Sequence, residues 1–210
     1  MTNRELRAKY GDFTKTDMFK YPDHFFSPWD DFTMHIQNWK SFLTRFESQK
    51  DLNFLELGTA QGRATVWLLE NILTESHCKI TTVDINNLIP VTNEKLKTKL
   101  DEQNITINCL ENLDPYIQNN TCKFVMLTTN EFFKNNIDQF DFVYIDASHD
   151  PVDVLHDAIN SFDVLKPHGL MLFDDYGWGE CHRGIEAFLH AFHNKISVLH
   201  KEYQVLIEKK

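Results

Sequence analysis

The 210-residue chain has little positive charge for its size. It carries 21 Lys and Arg against 31 Asp and Glu, which gives a formal net charge of −10 at pH 7. A nucleic-acid partner usually demands a basic face that neutralises phosphates, so this balance disfavours nucleic acid and favours a small-molecule substrate. We therefore predict no nucleic-acid partner, whereas the oligomeric state is not indicated by the sequence.

Cysteine and long apolar runs are also scarce. The four cysteines form no CxxC motif and no matching histidine spacing, so neither a disulfide framework nor a zinc site is predicted. No segment approaches the length of a membrane span, and the first residues lack the apolar region of a signal peptide. We expect reduced thiols, a cytoplasmic location and no membrane partner.

Short apolar runs and helical patterns alternate along the chain. Extended segments are predicted at 53–58, 79–85, 123–127, 141–146, 170–176, 196–200 and 203–209. Helices are predicted at about 62–73, 90–100, near Glu131, at 151–165 and at 183–192. Such alternation predicts an α/β, Rossmann-like, doubly wound and mostly parallel seven-stranded sheet. The last two segments are close enough to pair as an antiparallel hairpin.

An amphipathic helix is predicted ahead of the first strand. Ser27, Pro28 and Asp30 are helix-start signals. An apolar stripe then lies on one face and consists of Phe32, Ile36, Trp39, Leu43 and Phe46. We divide the chain into an N-terminal helical extension, 1–50, with a lid as one candidate role, and one α/β domain, 51–210. The polar segment 104–122 is compatible with a loop or with an extra element near the site.

A turn with two glycines follows the first predicted strand in "FLELGTAQGRATVWLL". Gly58 and Gly62 allow the backbone to pass close to a ligand, and amides at the start of the next helix can hold a carboxylate. Asp84 ends the second strand, where a carboxylate can accept hydrogen bonds from both ribose hydroxyls. This pattern indicates a nucleoside-containing cofactor, although a two-glycine turn alone is also common turn chemistry. Ala60 stands where a pyrophosphate site requires glycine, which disfavours nicotinamide dinucleotides.

Two further strands end in carboxylates, in "YIDASHD" and "LFDDY". Neighbouring parallel strands deliver such residues to one crevice, so Asp146, Asp174 and Asp175 are expected to lie close together. Crowded carboxylates repel each other unless they are protonated or bridged by a cation, and oxygen ligands suit Mg²⁺ or Mn²⁺. Alternative interpretations of these residues stay open. Asp174 and Asp175 can instead cap the following turn, and His149 can bond its own backbone turn.

These motifs together resemble the class I S-adenosylmethionine-dependent methyltransferases. The E-x-G-x-x-x-G pattern implies that Glu56, Gly58 and Gly62 face the methionine part of S-adenosylmethionine. The acid that closes strand two, Asp84, would then hold the ribose. The stretch from "IDASHD" to "DDYGW" resembles the branch of catechol-type and macrocin-type sugar O-methyltransferases. The resemblance extends from about residue 38 to the C-terminus.

The resemblance to this branch implies a metal-assisted reaction. Asp146, Asp174 and Asp175 would hold Mg²⁺ beside an acceptor hydroxyl, so that Asp146 is also a catalytic residue. His149, three residues after the first ligand, would be the general base. Independently of the resemblance, His182 is an alternative base, although a solvated loop position is favoured for it. Coordination would lower the pKa of the hydroxyl, His149 would take its proton, and the oxygen would attack the sulfonium methyl group.

Three functions are compared. The leading hypothesis is O-methylation of a small or sugar-like hydroxylated acceptor. S-adenosylmethionine would be the methyl donor, and the acids named above would hold Mg²⁺. The second is a catalytically silent partner protein that keeps the fold, and the third is a nicotinamide oxidoreductase, which Ala60 disfavours. Ala147 and His168 depart from the branch pattern, since glycine is common at both positions, and are expected to alter loop shape rather than the ligands.

Overall fold

The computed structural model describes residues 32–85 and 105–210, except for the side chains of residues 105–108. Its first helix, α1, spans Ile36–Leu43 and lies between the 3-10 turns Thr33–His35 and Thr44–Phe46. The helix-start signals at 27–30 lie outside the described residues. The predicted helix at 90–100 lies outside them as well.

Seven strands and five further helices make up the rest of the described chain. In order they are β1 (Asn53–Leu57), α2 (Arg63–Asn71), β2 (Lys79–Asp84), α3 (Ile105–Gln118), β3 (Cys122–Met126), α4 (Thr129–Asn135), β4 (Phe140–Ile145), α5 (Pro151–Val164), β5 (Leu165–Phe173), α6 (Cys181–Phe192), β6 (Ile196–Lys201) and β7 (Val205–Lys209). None of the helices within 32–85 and 105–210 is long and apolar enough to cross a membrane.

The strands form one sheet in the order β3-β2-β1-β4-β5-β7-β6. The first five are parallel, and β7 runs antiparallel to both β5 and β6. Strands β1 and β4 are neighbours although they are not consecutive in sequence, so the chain order reverses between them. In open α/β sheets the carboxyl ends of strands at such a point border the ligand crevice. The doubly wound sheet with an antiparallel C-terminal hairpin is therefore confirmed.

Alternate residues of the central strands face two different helical layers. Phe54 of β1 packs in a cluster with residues of α1 and α2, whereas Leu55 and Leu57 pack in a cluster with residues of α5 and α6. All five residues of β1 are buried, because helices cover both faces of the sheet. This two-sided burial explains why the strands are continuous apolar runs in the sequence.

Helix α1 is part of the first of these clusters. Trp39 is 0% exposed, its ring meets that of Tyr144 edge-on at 4.7 Å, and its Nε1 donates to Oε1 of Gln204 at 3.0 Å. The predicted apolar stripe of this helix is buried throughout. The domain boundary at residue 50 and the lid role stay predictions.

The structure decides between two open alternatives for one element and shifts the start of another. Segment 105–118 is a helix, α3, although Pro115 within it lowers its helix propensity. Burial of Cys109 and Leu113, both 0% exposed, overrides that preference. Strand β5 begins at Leu165 and not at residue 170, because a register shift in its pairing with β4 accommodates the turn-forming residues that follow.

Trp39→Ala tests whether α1 stabilises the sheet. Removal of a fully buried indole is expected to lower the free energy of unfolding by about 3–5 kcal/mol. Lys40→Ala, at the exposed next position, is the control and is expected to stay within about 0.5 kcal/mol of the wild type. Urea denaturation measures both. Equal stabilities would show that α1 is not an integral part of the core.

Candidate functional site

The glycine turn, residues 58–62, joins β1 to α2 at the carboxyl edge of the sheet. Gly58 and Gly62 have positive φ angles of 88° and 80°, which favour glycine. A Cβ at Gly58 would lie 1.8 Å from the backbone oxygen of Asp146, and one at Gly62 would lie 3.0 Å from the Leu113 side chain. The group that approaches Gly58 so closely is thus the backbone at the end of β4. Contact of both glycines with a cofactor stays a prediction.

Asp84, at the end of β2, faces this turn. Its Oδ2 accepts hydrogen bonds from the backbone N–H groups of Thr59, at 2.7 Å, and Ala60, at 2.9 Å. The structure therefore brings the predicted ribose-binding acid and the glycine turn together, as a nucleoside site between them requires.

Glu56 lies beneath the turn, inside the core. Its side chain is 1% exposed, and its Oε2 accepts hydrogen bonds from the hydroxyls of Thr65 and Thr82, the latter at 2.6 Å. The Thr82 hydroxyl is also 2.5 Å from that of Thr59 in the turn. Burial raises the pKa of Glu56 to about 7. On this geometry Glu56 supports the turn from below, and its predicted contact with a cofactor is not tested.

The carboxyl ends of β4 and β5 bring together the acid cluster, which consists of Asp146, Asp174 and Asp175. The Asp146 N–H donates to the Leu57 carbonyl at 2.8 Å, which ties β4 to β1. Tyr144 lies between two of the acids, and its hydroxyl is 2.5 Å from Oδ2 of Asp174 and 3.1 Å from Oδ2 of Asp146. The predicted convergence of these strand ends is present.

Asp175 is held from two sides. Its Oδ2 is 2.9 Å from Nε2 of His149, and its Oδ1 accepts a hydrogen bond from the Tyr203 hydroxyl at 2.6 Å. Asp146, His149 and Asp175 each offer one ligand atom, and these atoms lie within 4.8 Å of one another. Asp174 is oriented differently, because its oxygens accept from the Tyr144 hydroxyl and from the Asp175 N–H at 2.8 Å.

Burial and mutual repulsion dominate the electrostatics of the acid cluster. Burial raises the pKa of Asp146 well above its usual range, and the neighbouring Asp174 and Asp175 carboxylates raise it further. Burial likewise raises the pKa of Asp174, an effect that His35 opposes. The hydrogen bond to Asp175 raises the pKa of His149. Ionised acids at this spacing need a positive neighbour.

A divalent cation fits these residues. Carboxylate oxygens are the ligands that Mg²⁺ and Mn²⁺ prefer, and crowding of the acids is relieved by positive charge. A cavity of about 10 Å³ lies against Asp146, His149 and Asp175, a volume that accommodates about one water molecule or ion. Asp174 lines the same cavity. The donor set and the cavity therefore suit a cation.

Two tyrosines of the site were not predicted from the sequence. The sequence pattern indicates that Tyr144 is a core residue within an apolar strand. Because side chains two positions apart on a strand share a face, its spacing from Asp146 was a usable signal that the two side chains lie side by side. Tyr203 reaches Asp175 from the turn between β6 and β7, and no local pattern indicates a contact over that separation.

A family model described as a methyltransferase domain matches residues 55–176. The chain belongs to this family, whose members are class I S-adenosylmethionine-dependent methyltransferases. The matched range contains both the glycine turn and the acid cluster. A search of curated proteins found no significant match.

Solved structures with a similar fold include methyltransferases of several kinds. The O-methyltransferase from Bacillus cereus in complex with SAH is 17% identical, with a TM-score of 0.54 over 75% of this chain and 74% of that one. The O-methyltransferase TomG from Streptomyces achromogenes, in complex with SAM, is 13% identical, with a TM-score of 0.53 over 75% and 73%. An rRNA methylase from Streptococcus thermophilus is 12% identical, with a TM-score of 0.52 over 83% and 95%.

At these identities the similarity shows the fold alone. Because an rRNA methylase is among the neighbours, the fold gives no support to the predicted absence of a nucleic-acid partner. The acceptor has to be inferred from the residues of this chain.

Glu56→Gln is expected to change how stability depends on pH. Burial raises the pKa of Glu56 from an ordinary 4.5 to about 7, so between these values the folded state keeps a proton that the unfolded state has released. Ionisation therefore destabilises the wild type as the pH rises through this interval, by about 3 kcal/mol in total. Glutamine cannot ionise. The free energy of unfolding of the variant therefore rises by that amount, relative to the wild type, between about pH 4 and about pH 8.

Urea denaturation across this pH range measures the difference between the two proteins. Glu111→Gln, at an exposed position on α3, is the matched control and should show a constant difference from the wild type. A constant difference for Glu56→Gln as well would contradict the assigned protonation of Glu56.

Proposed function

We propose that this chain transfers a methyl group from S-adenosylmethionine to a hydroxyl group of a small acceptor. We further propose that a divalent cation assists the transfer. One observation carries this proposal. The position of a Cβ at Gly58 lies 1.8 Å from the backbone oxygen of Asp146, so the glycine turn and the acid cluster are directly adjacent.

The cofactor is assigned to the crevice between β1 and β2. Asp84 is proposed to accept hydrogen bonds from the ribose hydroxyls, since it ends β2 beside the glycine turn. Gly58 and Gly62 keep the turn free of side chains, and the amides at the start of α2 favour the carboxylate of the methionine part. S-adenosylmethionine supplies an electrophilic methyl group on its sulfonium centre.

The cation is assigned to Asp146 and Asp175, with Asp174 in support. Both proposed ligands have an oxygen in the group of atoms that lie within 4.8 Å of one another, and this group contains no atom of Asp174. A bound divalent cation would supply a Lewis acid that lowers the pKa of a nearby acceptor hydroxyl. The three-acid ligand set expected from the sequence is not tested, and we propose two ligands and one orienting acid in its place.

His149 is proposed to accept the hydroxyl proton. Its side chain is 48% exposed, and its Nε2 is 2.9 Å from Oδ2 of Asp175. When Nε2–H donates to Asp175, the neutral ring keeps Nδ1 as the proton acceptor, and the Asp175 carboxylate stabilises the imidazolium that forms. The ring also meets Trp178 edge-on at 4.6 Å, which restricts its orientation.

A small, hydroxylated and sugar-like acceptor fits the charge of the site better than RNA does. The chain has a net charge of −10, and the acid cluster lies at the proposed reaction centre. Negative charge at this edge repels a phosphodiester backbone. The ring of Trp178, 51% exposed beside His149, offers an apolar surface to an acceptor. The retained acids and His149 favour catalysis over a silent partner protein.

Asp146→Asn tests the cation site without a known acceptor. Loss of one charged ligand is expected to weaken Mn²⁺ binding by at least about 10-fold. Affinity for S-adenosylhomocysteine should stay within about 3-fold of the wild type, because the cofactor residues lie on other strands. Electron paramagnetic resonance titration of Mn²⁺ and calorimetry with S-adenosylhomocysteine measure the two affinities.

Asp138→Asn, at an exposed position before β4, is the matched control and should bind Mn²⁺ like the wild type. Methyl transfer to a panel of small vicinal diols, with and without EDTA, tests the reaction itself. Cofactor binding that Mn²⁺ never affects, together with no transfer to any diol, would favour the silent partner protein. Transfer only to RNA would contradict the assigned acceptor class.

His149→Gln tests the proton acceptor. A base must be neutral, so wild-type activity is expected to fall as the pH drops below the His149 pKa, which Asp175 raises above its ordinary 6.5. In the variant, this fall in activity at low pH should be absent, and the rate should be lower by about 10²–10⁴-fold. His182→Gln, an exposed position on α6, should keep the fall in activity. Loss of Mn²⁺ binding in His149→Gln would instead identify His149 as a ligand.

A further inference from the structure

Tyr203 reaches the acid cluster from the neighbouring strand pair, because Val205 of β7 pairs with Phe173 of β5. It lies in the turn between β6 and β7, is only 7% exposed, and donates its hydroxyl to Oδ1 of Asp175 at 2.6 Å. None of the roles proposed for the glycine turn, the acid cluster or His149 involves this residue.

We propose that Tyr203 is a positioning residue that fixes the Asp175 carboxylate, so that Oδ2 faces His149 and the cation site. The inference rests on the proposed function, because it concerns the cation site of that reaction. Outer hydrogen-bond partners of metal ligands commonly set the orientation of those ligands.

The two adjacent acids are distinguished by their partners. Asp174 accepts hydrogen bonds at both oxygens, from the Tyr144 hydroxyl at 2.5 Å and from the Asp175 N–H at 2.8 Å. In Asp175 the tyrosine occupies Oδ1, and Oδ2 lies 2.9 Å from His149 Nε2. Asp175 and His149 both line the 10 Å³ cavity. One hydroxyl therefore decides which oxygen of Asp175 is presented to the site.

Asp175 needs such a restraint because its backbone is unusual. Its φ angle is +55°, in the left-handed region that non-glycine residues seldom adopt. Such conformations persist where the surrounding contacts determine them, and they are often found at functional sites. The contact with Tyr203 is one of the interactions that hold Asp175 in this conformation.

Tyr203 is itself held rigidly. Its ring stacks on that of the buried His35, with centroids 5.3 Å apart and planes 19° apart. Its carbonyl accepts a hydrogen bond from Gly177 N–H at 3.4 Å, which links the turn to the loop after Asp175. The next residue, Gln204, is bonded to Trp39 at 3.0 Å. A hydroxyl donor fixed in this way loses little conformational entropy when it orients the Asp175 carboxylate.

Tyr203→Phe removes the hydroxyl and keeps the ring that stacks on His35. Mn²⁺ affinity, measured by electron paramagnetic resonance and by calorimetry without acceptor, is expected to weaken by about 10-fold. The resonance spectrum of the bound Mn²⁺ should also change, because the ligand oxygen is no longer fixed. Affinity for S-adenosylhomocysteine should stay within about 2-fold of the wild type, since the cofactor residues lie on β1 and β2.

Tyr176→Phe is the matched control. Its hydroxyl donates to the carboxylate of Glu186 and not to the acid cluster, so its loss should leave Mn²⁺ binding unchanged. Thermal melting of both variants reports folding, and a purely structural role of Tyr203 would lower the melting temperature without altering Mn²⁺ affinity. Should Tyr203→Phe unfold, Tyr203→Met also lacks the donor while it keeps an apolar side chain, and wild-type Mn²⁺ affinity in that folded variant would overturn the inference.

The outcomes separate this inference from the proposed function. Wild-type protein that binds Mn²⁺, with equal affinity in Tyr203→Phe, would overturn the positioning role alone. Wild-type protein that binds no Mn²⁺ would refute the cation part of the proposed function, and the inference with it. A selective loss of Mn²⁺ affinity in Tyr203→Phe supports both.

Discussion

The backbone contact between the glycine turn and the end of β4 is the constraint on which the site depends. The Asp146 N–H donates to the Leu57 carbonyl at 2.8 Å, and the Asp146 carbonyl occupies the space where Gly58 would otherwise carry a Cβ. This contact forms at the point where the chain order in the sheet reverses. The glycine turn and the acid cluster are therefore held next to each other, as the proposed group transfer between a cofactor and an acceptor requires.

The acid cluster is tolerated because tyrosine hydroxyls and backbone amides share its negative charge. Tyr144 bridges Asp146 and Asp174, and Tyr203 binds Asp175. Each donor takes up lone pairs that would otherwise face another carboxylate, so repulsion is reduced without neutralising the site. What remains is a partly exposed set of oxygens beside His149, which is suited to a cation and to proton transfer.

Local sequence pattern was sufficient for the strands and for the acids at their ends. Continuous apolar runs predicted the parallel sheet. The geometry of such a sheet then predicted that Asp84 lies beside the turn and that Asp146 lies beside Asp174. Segment 105–118 was not recognised as a helix, since Pro115 masks its propensity and only packing reveals it. The unequal orientation of the paired acids was also unpredictable, because it is decided by Tyr203, which comes from a distant turn.

The hydrogen bond from Trp39 to Gln204 joins residues that are 165 positions apart in the chain. Contacts of such sequence separation form only after the intervening chain has been brought to order, and they slow folding. Because Tyr203 adjoins Gln204, its hydrogen bond to the acid cluster is expected to form at the same stage as this closure. During synthesis on the ribosome, a chain emerging as far as Asp175 would carry every acid of the cluster but would still lack the tyrosine that aligns one of them.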